Sequence, residues 1–263
     1  MHFPMLGAPD ITVRKVEASR GWRWISDGIT LFRKSPAQWV FLCAILFVGS
    51  RILYAIPVLG IIALLVVPNI LAGLSHGAQA LEQGKPLRVS YLASGFLKNA
   101  AHLITIGGVS LVGKFVGMIV VTVMGGEAIT EIAKTMAAGA VTQETMDAVR
   151  IARPALMNAF VAGLAVSLPF LMAAWFSPLL VFFDDVPPRR ALALSLVACV
   201  RNLWPLLLYG VMLLAPMMML MPLGIATHQA DLAIWLLAPV VVPSIYLSYK
   251  DVFAHAPAAG TAP

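Results

Sequence analysis

A single lysine, Lys114, stands near the middle of a long apolar run, 101–124. Roughly 18 Å of helix separates it from the start of that run. An amine at such depth costs about 2.5–3.5 kcal/mol on insertion scales, so it marks either a ligand or ion site or a polar cluster that holds helices in register. Asn69 in the preceding run and Ser167 in the following one are the midplane partners by position, together with the carbonyl that Pro169 frees. Gly113 and Gly117 flank the lysine in a G-x-x-x-G pattern, which lets a neighbouring helix approach closely.

Other chemistry is thinner. Gly108-Val109-Ser110-Leu111-Val112-Gly113-Lys114 matches the first seven positions of a phosphate-binding loop, but Phe115 stands where Ser or Thr is required and no strand precedes it. Asp184-Asp185 precedes Pro187-Pro188 and Arg189-Arg190. Paired carboxylates hold a divalent ion against a phosphate, yet this spacing better suits the end of one helix and a proline-started next one. His76 and His102 lack metal-ligand spacing. No Asp or Glu falls inside an apolar run, which argues against a carboxylate proton relay. Cys43 and Cys199 form no close-spaced motif and read as small buried side chains. The expectation is a non-enzyme with no catalytic residues, no metal and no cofactor.

The elements that must position these residues follow from composition. Hydrophobic residues make up 60% of the chain, charged residues 11%, and mean hydropathy is +0.89. A soluble domain carries about 25% charged residues, so the bilayer is the expected partner. A net charge of +6 without an aromatic-interleaved basic patch excludes nucleic acid as a partner. Six apolar runs, 37–56, 58–81, 101–124, 158–183, 203–225 and 232–249, each approach the ~20 residues of a spanning helix. The expected fold is all-α: a polytopic membrane protein whose six transmembrane helices form three hairpin repeats, each preceded by an amphipathic interfacial helix.

A repeated phrase closes each amphipathic stretch: Leu31-Phe32-Arg33-Lys34, Phe96-Leu97-Lys98-Asn99 and Cys199-Val200-Arg201-Asn202. Two apolar residues followed by a cation suit a helix end at a membrane surface. Arg33, Lys34, Lys98 and Arg201, with Trp22 and Trp24, are therefore expected to meet anionic lipid headgroups. The first stretch puts Trp22, Ile25, Ile29 and Phe32 on one side and is expected to lie on the membrane until Pro36 ends it. Thirteen lysines and arginines fall on one side of the spans and four on the other, which places both termini in the cytoplasm. Residues 1–36 are expected to form a cytoplasmic N-terminal segment with an interfacial helix, and not a cleavable signal peptide. Residues 125–157 read as an outer helical hairpin broken at Gly139, and 254–263 as a disordered cytoplasmic tail.

Several stretches together resemble a known family. They are Ser19-Arg20-Gly21-Trp22-Arg23-Trp24-Ile25, Leu31-Phe32-Arg33, Ala174-Trp175-Phe176-Ser177-Pro178, Arg201-Asn202 and Tyr246-Leu247-Ser248-Tyr249-Lys250-Asp251-Val252-Phe253. The chain is similar to an uncharacterised family of bacterial six-span inner-membrane proteins, itself distantly similar to the membrane domain of some glycerophosphoryl diester phosphodiesterases. The resemblance covers nearly the whole chain except the outer hairpin. It implies a fold and a compartment and carries over no catalytic residues; the soluble barrel of a phosphodiesterase has no room in 263 residues. The leading expectation is a non-enzymatic organiser of envelope partners or lipids. Its rival is a small transporter or lipid-handling protein with a midplane site around Lys114 and Asn69.

Overall fold

Apolar runs of this length satisfy their backbone polar groups in lipid only as helices. The computed structural model, which describes residues 11–137, 143–227, 229 and 231–255, is helical throughout apart from two short strands. In chain order the elements are β1 (Ile11–Val13), α1 (Arg20–Arg33), α2 (Pro36–Tyr54), α3 (Pro57–Leu65), α4 (Val67–Glu82) and α5 (Ser90–Leu97). They continue with α6 (Ala100–Ala137), α7 (Gln143–Asp184), α8 (Pro188–Arg201), α9 (Leu203–Ala226), α10 (Leu232–Val252) and β2 (Phe253–His255). Among the described residues five helices, α2, α6, α7, α9 and α10, are long and apolar enough to cross a membrane. The pair α3 and α4 makes a sixth if it counts as one broken span, bent by 45°. The bend sits just before Pro68, which cannot continue the hydrogen-bond ladder.

The chain divides into two compact units, Met1–Gly107 with Ala173–Pro263, and Gly108–Met172. In the first, α10 is the hub and packs against α1, α2, α4 and α9. It buries Pro239, Val242, Ser244, Ile245, Tyr246, Ser248, Tyr249 and Val252. The two ends of the chain meet here, because β1 pairs antiparallel with β2, with Val13 opposite Phe253, and the Arg14 N–H donates to Val252 at 2.8 Å. Ala254 and His255, expected in the disordered tail, belong to this strand; residues 256–263 lie outside the described ones.

The first amphipathic helix differs from its expectation. Rather than resting on lipid alone, α1 buries Gly21, Trp24, Ile25, Gly28 and Leu31 while Trp22 stays 54% exposed. Gly28 faces Val240 and Ser244 of α10, and Gly21 faces the backbone of Pro205 and Tyr209 in α9. Bare glycines let the helix backbones touch, and a protein face satisfies an apolar stripe as well as lipid does. Contacts run in reverse order along the hub, from Arg20 at Asp251 to Gly28 at Val240, so α1 lies antiparallel to α10.

The other two short helices dock in the same manner. Along α4, α5 sets Leu87, just before its start, against Gly77 and its own Gly95 against Asn69, again antiparallel. From α8, the Ser195 hydroxyl accepts the Phe176 N–H of α7 at 2.9 Å, and Ala191, Ala198 and Cys199 are buried. Each short helix therefore contacts a longer helix: α1 on α10, α5 on α4, and α8 on α7 through Ser195.

Within the second unit α6 and α7 pack through small residues. Gly117 and Gly163 face each other's backbones, and Gly113 meets Phe170. The expected outer hairpin of separate short helices is not what the described residues show. Residues 125–137 continue α6, which has 38 residues, and 143–157 open α7, which has 42. At roughly 57 and 63 Å both exceed the ~30 Å hydrocarbon. The expected break at Gly139 lies outside the described residues.

Burial accounts for both cysteines, at 4% and 1% exposure for Cys43 and Cys199. Desolvation pushes the Cys199 thiol up to about 12 against a small opposing hydrogen bond with Ser195. Because the thiolate is the nucleophile, Cys199 is expected to react with a maleimide at pH 7.5 at least about tenfold more slowly in the folded protein than in the unfolded chain. Equal rates in native detergent and in denaturant would show that this face of α8 is not buried in the folded protein.

Candidate functional site

The richest polar constellation lies where α4, α7 and α10 end. Glu82 closes α4 and accepts the Tyr246 hydroxyl at 2.8 Å and the Lys250 ammonium at 2.6 Å. Asp184 closes α7, is buried, and accepts the Tyr249 hydroxyl. Asp251 lies at the end of α10 and accepts Arg20 Nε at 2.8 Å, a second guanidinium nitrogen of Arg20, and the Trp24 indole at 2.6 Å. Around them Phe183 stacks on Tyr249 and tilts against Tyr246, and Phe253 meets Phe176 edge-on. The carboxylates at the ends of α4, α7 and α10 are thus joined to phenols or cations, and these helix ends are tied to one another.

The repeated phrase has a second role that its residue types alone did not reveal. Asn99 adopts a left-handed backbone, φ 56°, and donates to the Val181 carbonyl at 2.8 Å and to Asp185 at 2.7 Å, while Lys98 pairs with Asp185 at 3.1 Å. Asn202 accepts the Val16 N–H at 2.8 Å and donates to the Arg14 carbonyl at 2.9 Å. In both copies the asparagine after the cation latches the connection that leads into the next short helix. A recurring asparagine at that position was the available signal. Partial burial pushes the Asp185 carboxyl up, but hydrogen bonds from Asn99 and Lys98 and the charge of Lys98 outweigh it and leave it below the ordinary carboxylate value. Asp185 therefore works as a latch.

Of the expected lipid contacts, Arg33, Lys34, Lys98, Arg201 and Trp22 are exposed, and Trp24 is fully buried against Tyr209 with its indole on Asp251. The phrases also expose apolar surface: Leu97 is 84% exposed and Val200 61%, with Trp204 just beyond at 73%.

The expected midplane site falls in two different units. Asn69 is fully buried, and its amide donates to the carbonyls of Gly95 at 2.9 Å and Ala100 at 3.4 Å. The Ser167 hydroxyl shares its proton between Gly163 at 2.8 Å and Gly113 at 3.1 Å. Both are occupied in joining helices. Lys114 is exposed on α6, between Gly113 and Gly117, which face α7, and has no ion pair among the described residues. Roughly 21 Å along the helix from Ala100, it lies amid exposed Val112, Phe115 and Met118. His76 packs between Tyr91 and Phe182, and among the described residues no group of acidic, histidine and cysteine side chains is placed to hold a metal.

At the opposite end of the first unit, Arg51 of α2 pairs with Asp231 at the start of α10. Its guanidinium lies over Phe47 and Tyr54, and Asp231 also accepts the Trp235 indole at 3.0 Å. This pair clamps two helices together and was not anticipated from the sequence.

A probable inner membrane protein of Burkholderia thailandensis is 27% identical to the chain over 203 residues, which is 75% of this chain and 73% of the relative. No protein-family model and no solved structure matches it. Together with five to six apolar helices, this likeness makes the chain a multi-pass membrane protein.

Proposed function

We propose that this is a non-enzymatic, six-span protein of the bacterial inner membrane, with both ends in the cytoplasm, that organises membrane-protein partners or lipids. Six crossings are supported by which ends meet. Asn99 and Asp185 join the start of α6 to the end of α7, and Arg51 with Asp231 puts the far end of α2 beside the start of α10. The joined strands β1 and β2 favour an even number of crossings, and counting the bent pair α3–α4 as one span gives six. Exposed Arg14, Lys15, Arg23, Arg33, Lys34, Lys85, Arg88, Arg189 and Arg201 surround that end, which favours the cytoplasm for it. Similarity to the membrane domain of glycerophosphoryl diester phosphodiesterases belongs to this reading as a proposal about fold alone.

Lys114 carries the organising role. An exposed ammonium in mid-span, with Asn69 and Ser167 both committed to other helices, favours a partner from outside the chain, such as a spanning helix that bears a carboxylate. Gentle extraction and mass spectrometry of wild type and Lys114→Leu tests it. A stoichiometric protein retained by wild type and reduced at least about tenfold in a well-folded Lys114→Leu is the expected result, equivalent to about 1.4 kcal/mol or more. A small solute lost in its place would turn the reading to transport.

A further inference from the structure

The three short helices form a cycle with one member unlike the others. Asn99, after α5, latches the connection before α8, and Asn202, after α8, latches the connection before α1. Extending the same order would set the residue after α1 against the connection before α5, residues 83–89, and α1 packs against α4, from which that connection leaves. That residue is Lys34. The connection presents Lys85 and Arg88, both exposed, and Arg33 and Lys34 are exposed as well. None of the four has an ion pair among the described residues, whereas Lys98 at the equivalent place in the second copy is neutralised by Asp185.

We infer that this junction, Lys34 with Lys85 and their neighbours Arg33 and Arg88, holds the phosphate of an acidic phospholipid headgroup in place of the missing asparagine latch. Four cations without an acid need an anion to converge. Two features point to a lipid source. Lys34 stands two residues before α2, whose Val40 and Phe41 are 55% and 58% exposed, and Val89 beside Arg88 is 48% exposed. A phosphodiester at the cations would leave its acyl chains along that apolar surface. The inference rests on the lipid side of the proposed function and names the headgroup class and its place.

The test uses the full chain in detergent, with lipid retention read by native mass spectrometry. Phosphatidylglycerol is expected to be held at least about tenfold better than phosphatidylcholine, and the double variant Lys34→Asn/Lys85→Gln is expected to lose that preference. Lys98→Gln, at the neutralised copy, is expected to keep it. Unchanged preference in the double variant overturns the site, and displacement of the lipid by millimolar inorganic phosphate overturns the lipid source. Placement is tested separately, since Lys34→Cys with Lys85→Cys is expected to be joined by a short bis-maleimide in the membrane. Failure to cross-link removes the junction itself. Co-purifying proteins enter neither readout, so loss of the organising role would leave this result standing.

Discussion

Replacing Gly21 by valine is expected to force α1 out of its seat and lower stability by about 3 kcal/mol, the upper end of overpacking costs. A Cβ at Gly21 would run into the Pro205 carbonyl and lie 3.0 Å from the Tyr209 backbone nitrogen. Both obstacles are main chain, so relief requires α1 to lift or α9 to bend. Gly210→Val, on α9 itself with nothing within 4 Å, is the matched control and is expected to be nearly neutral. Melting in detergent and trypsin cleavage after Arg20 and Arg23 read the difference. If both valines behave alike, α1 lies against lipid and not against α9.

That contrast also marks where the sequence was legible. Spanning helices announce themselves because hydropathy is a property of a local window, and 203–225 and 232–249 agree with α9 and α10 to within a few residues. The second run, expected as one span over 58–81, instead breaks just before Pro68. What a local window cannot distinguish is the material covering an apolar face. Trp22 and Trp24 have the same type and nearly the same position, yet one is half exposed and the other fully buried. Glycines at 21 and 28, one heptad apart on the buried side, were the sign that a backbone rather than a lipid tail would fill that face.

Polar partners were less legible because they join residues distant in the chain. Asp184 and Asp185 were expected to end one helix and cap the next; Asp184 does close α7, but α8 starts from Pro187 without a side-chain cap, and Asp184 reaches Tyr249 while Asp185 reaches Asn99. Lys114 drew the eye as an isolated charge, and Asn69 and Ser167 as its midplane companions. The Asn69 amide N–H and the Ser167 hydroxyl instead donate to carbonyls at helix contacts, because a buried donor takes the nearest carbonyl that two close-packed helices offer. Depth along a span says how costly a polar group is. It does not say which neighbour relieves the cost.

Asp251→Ala should show the second large loss, about 3 kcal/mol, because one carboxylate serves two donors on α1. It accepts two nitrogens of Arg20 and the Trp24 indole at 2.6 Å, and the Trp24 side chain is fully buried. Alanine leaves that indole N–H without an acceptor, and the guanidinium, about 29% exposed, recovers only part of its solvation. Asp251→Asn retains an oxygen for the indole and removes only the charge, so its loss should fall near 1 kcal/mol, as should that of Arg20→Gln. The order Ala, then Asn and Gln together, follows from a buried donor costing more than a half-exposed ion pair. Because β1 is held independently by β2 and by Asn202, α1 should become protease-sensitive in Asp251→Ala while the strand stays paired. Adding Asn202→Ala should then extend the protease sensitivity to the connection around Arg14 and Val16, leaving β1 held by β2 alone. Equal melting temperatures for Asp251→Ala and Asp251→Asn would mean that the indole bond contributes nothing, and that the charge of Arg20 alone seats the helix.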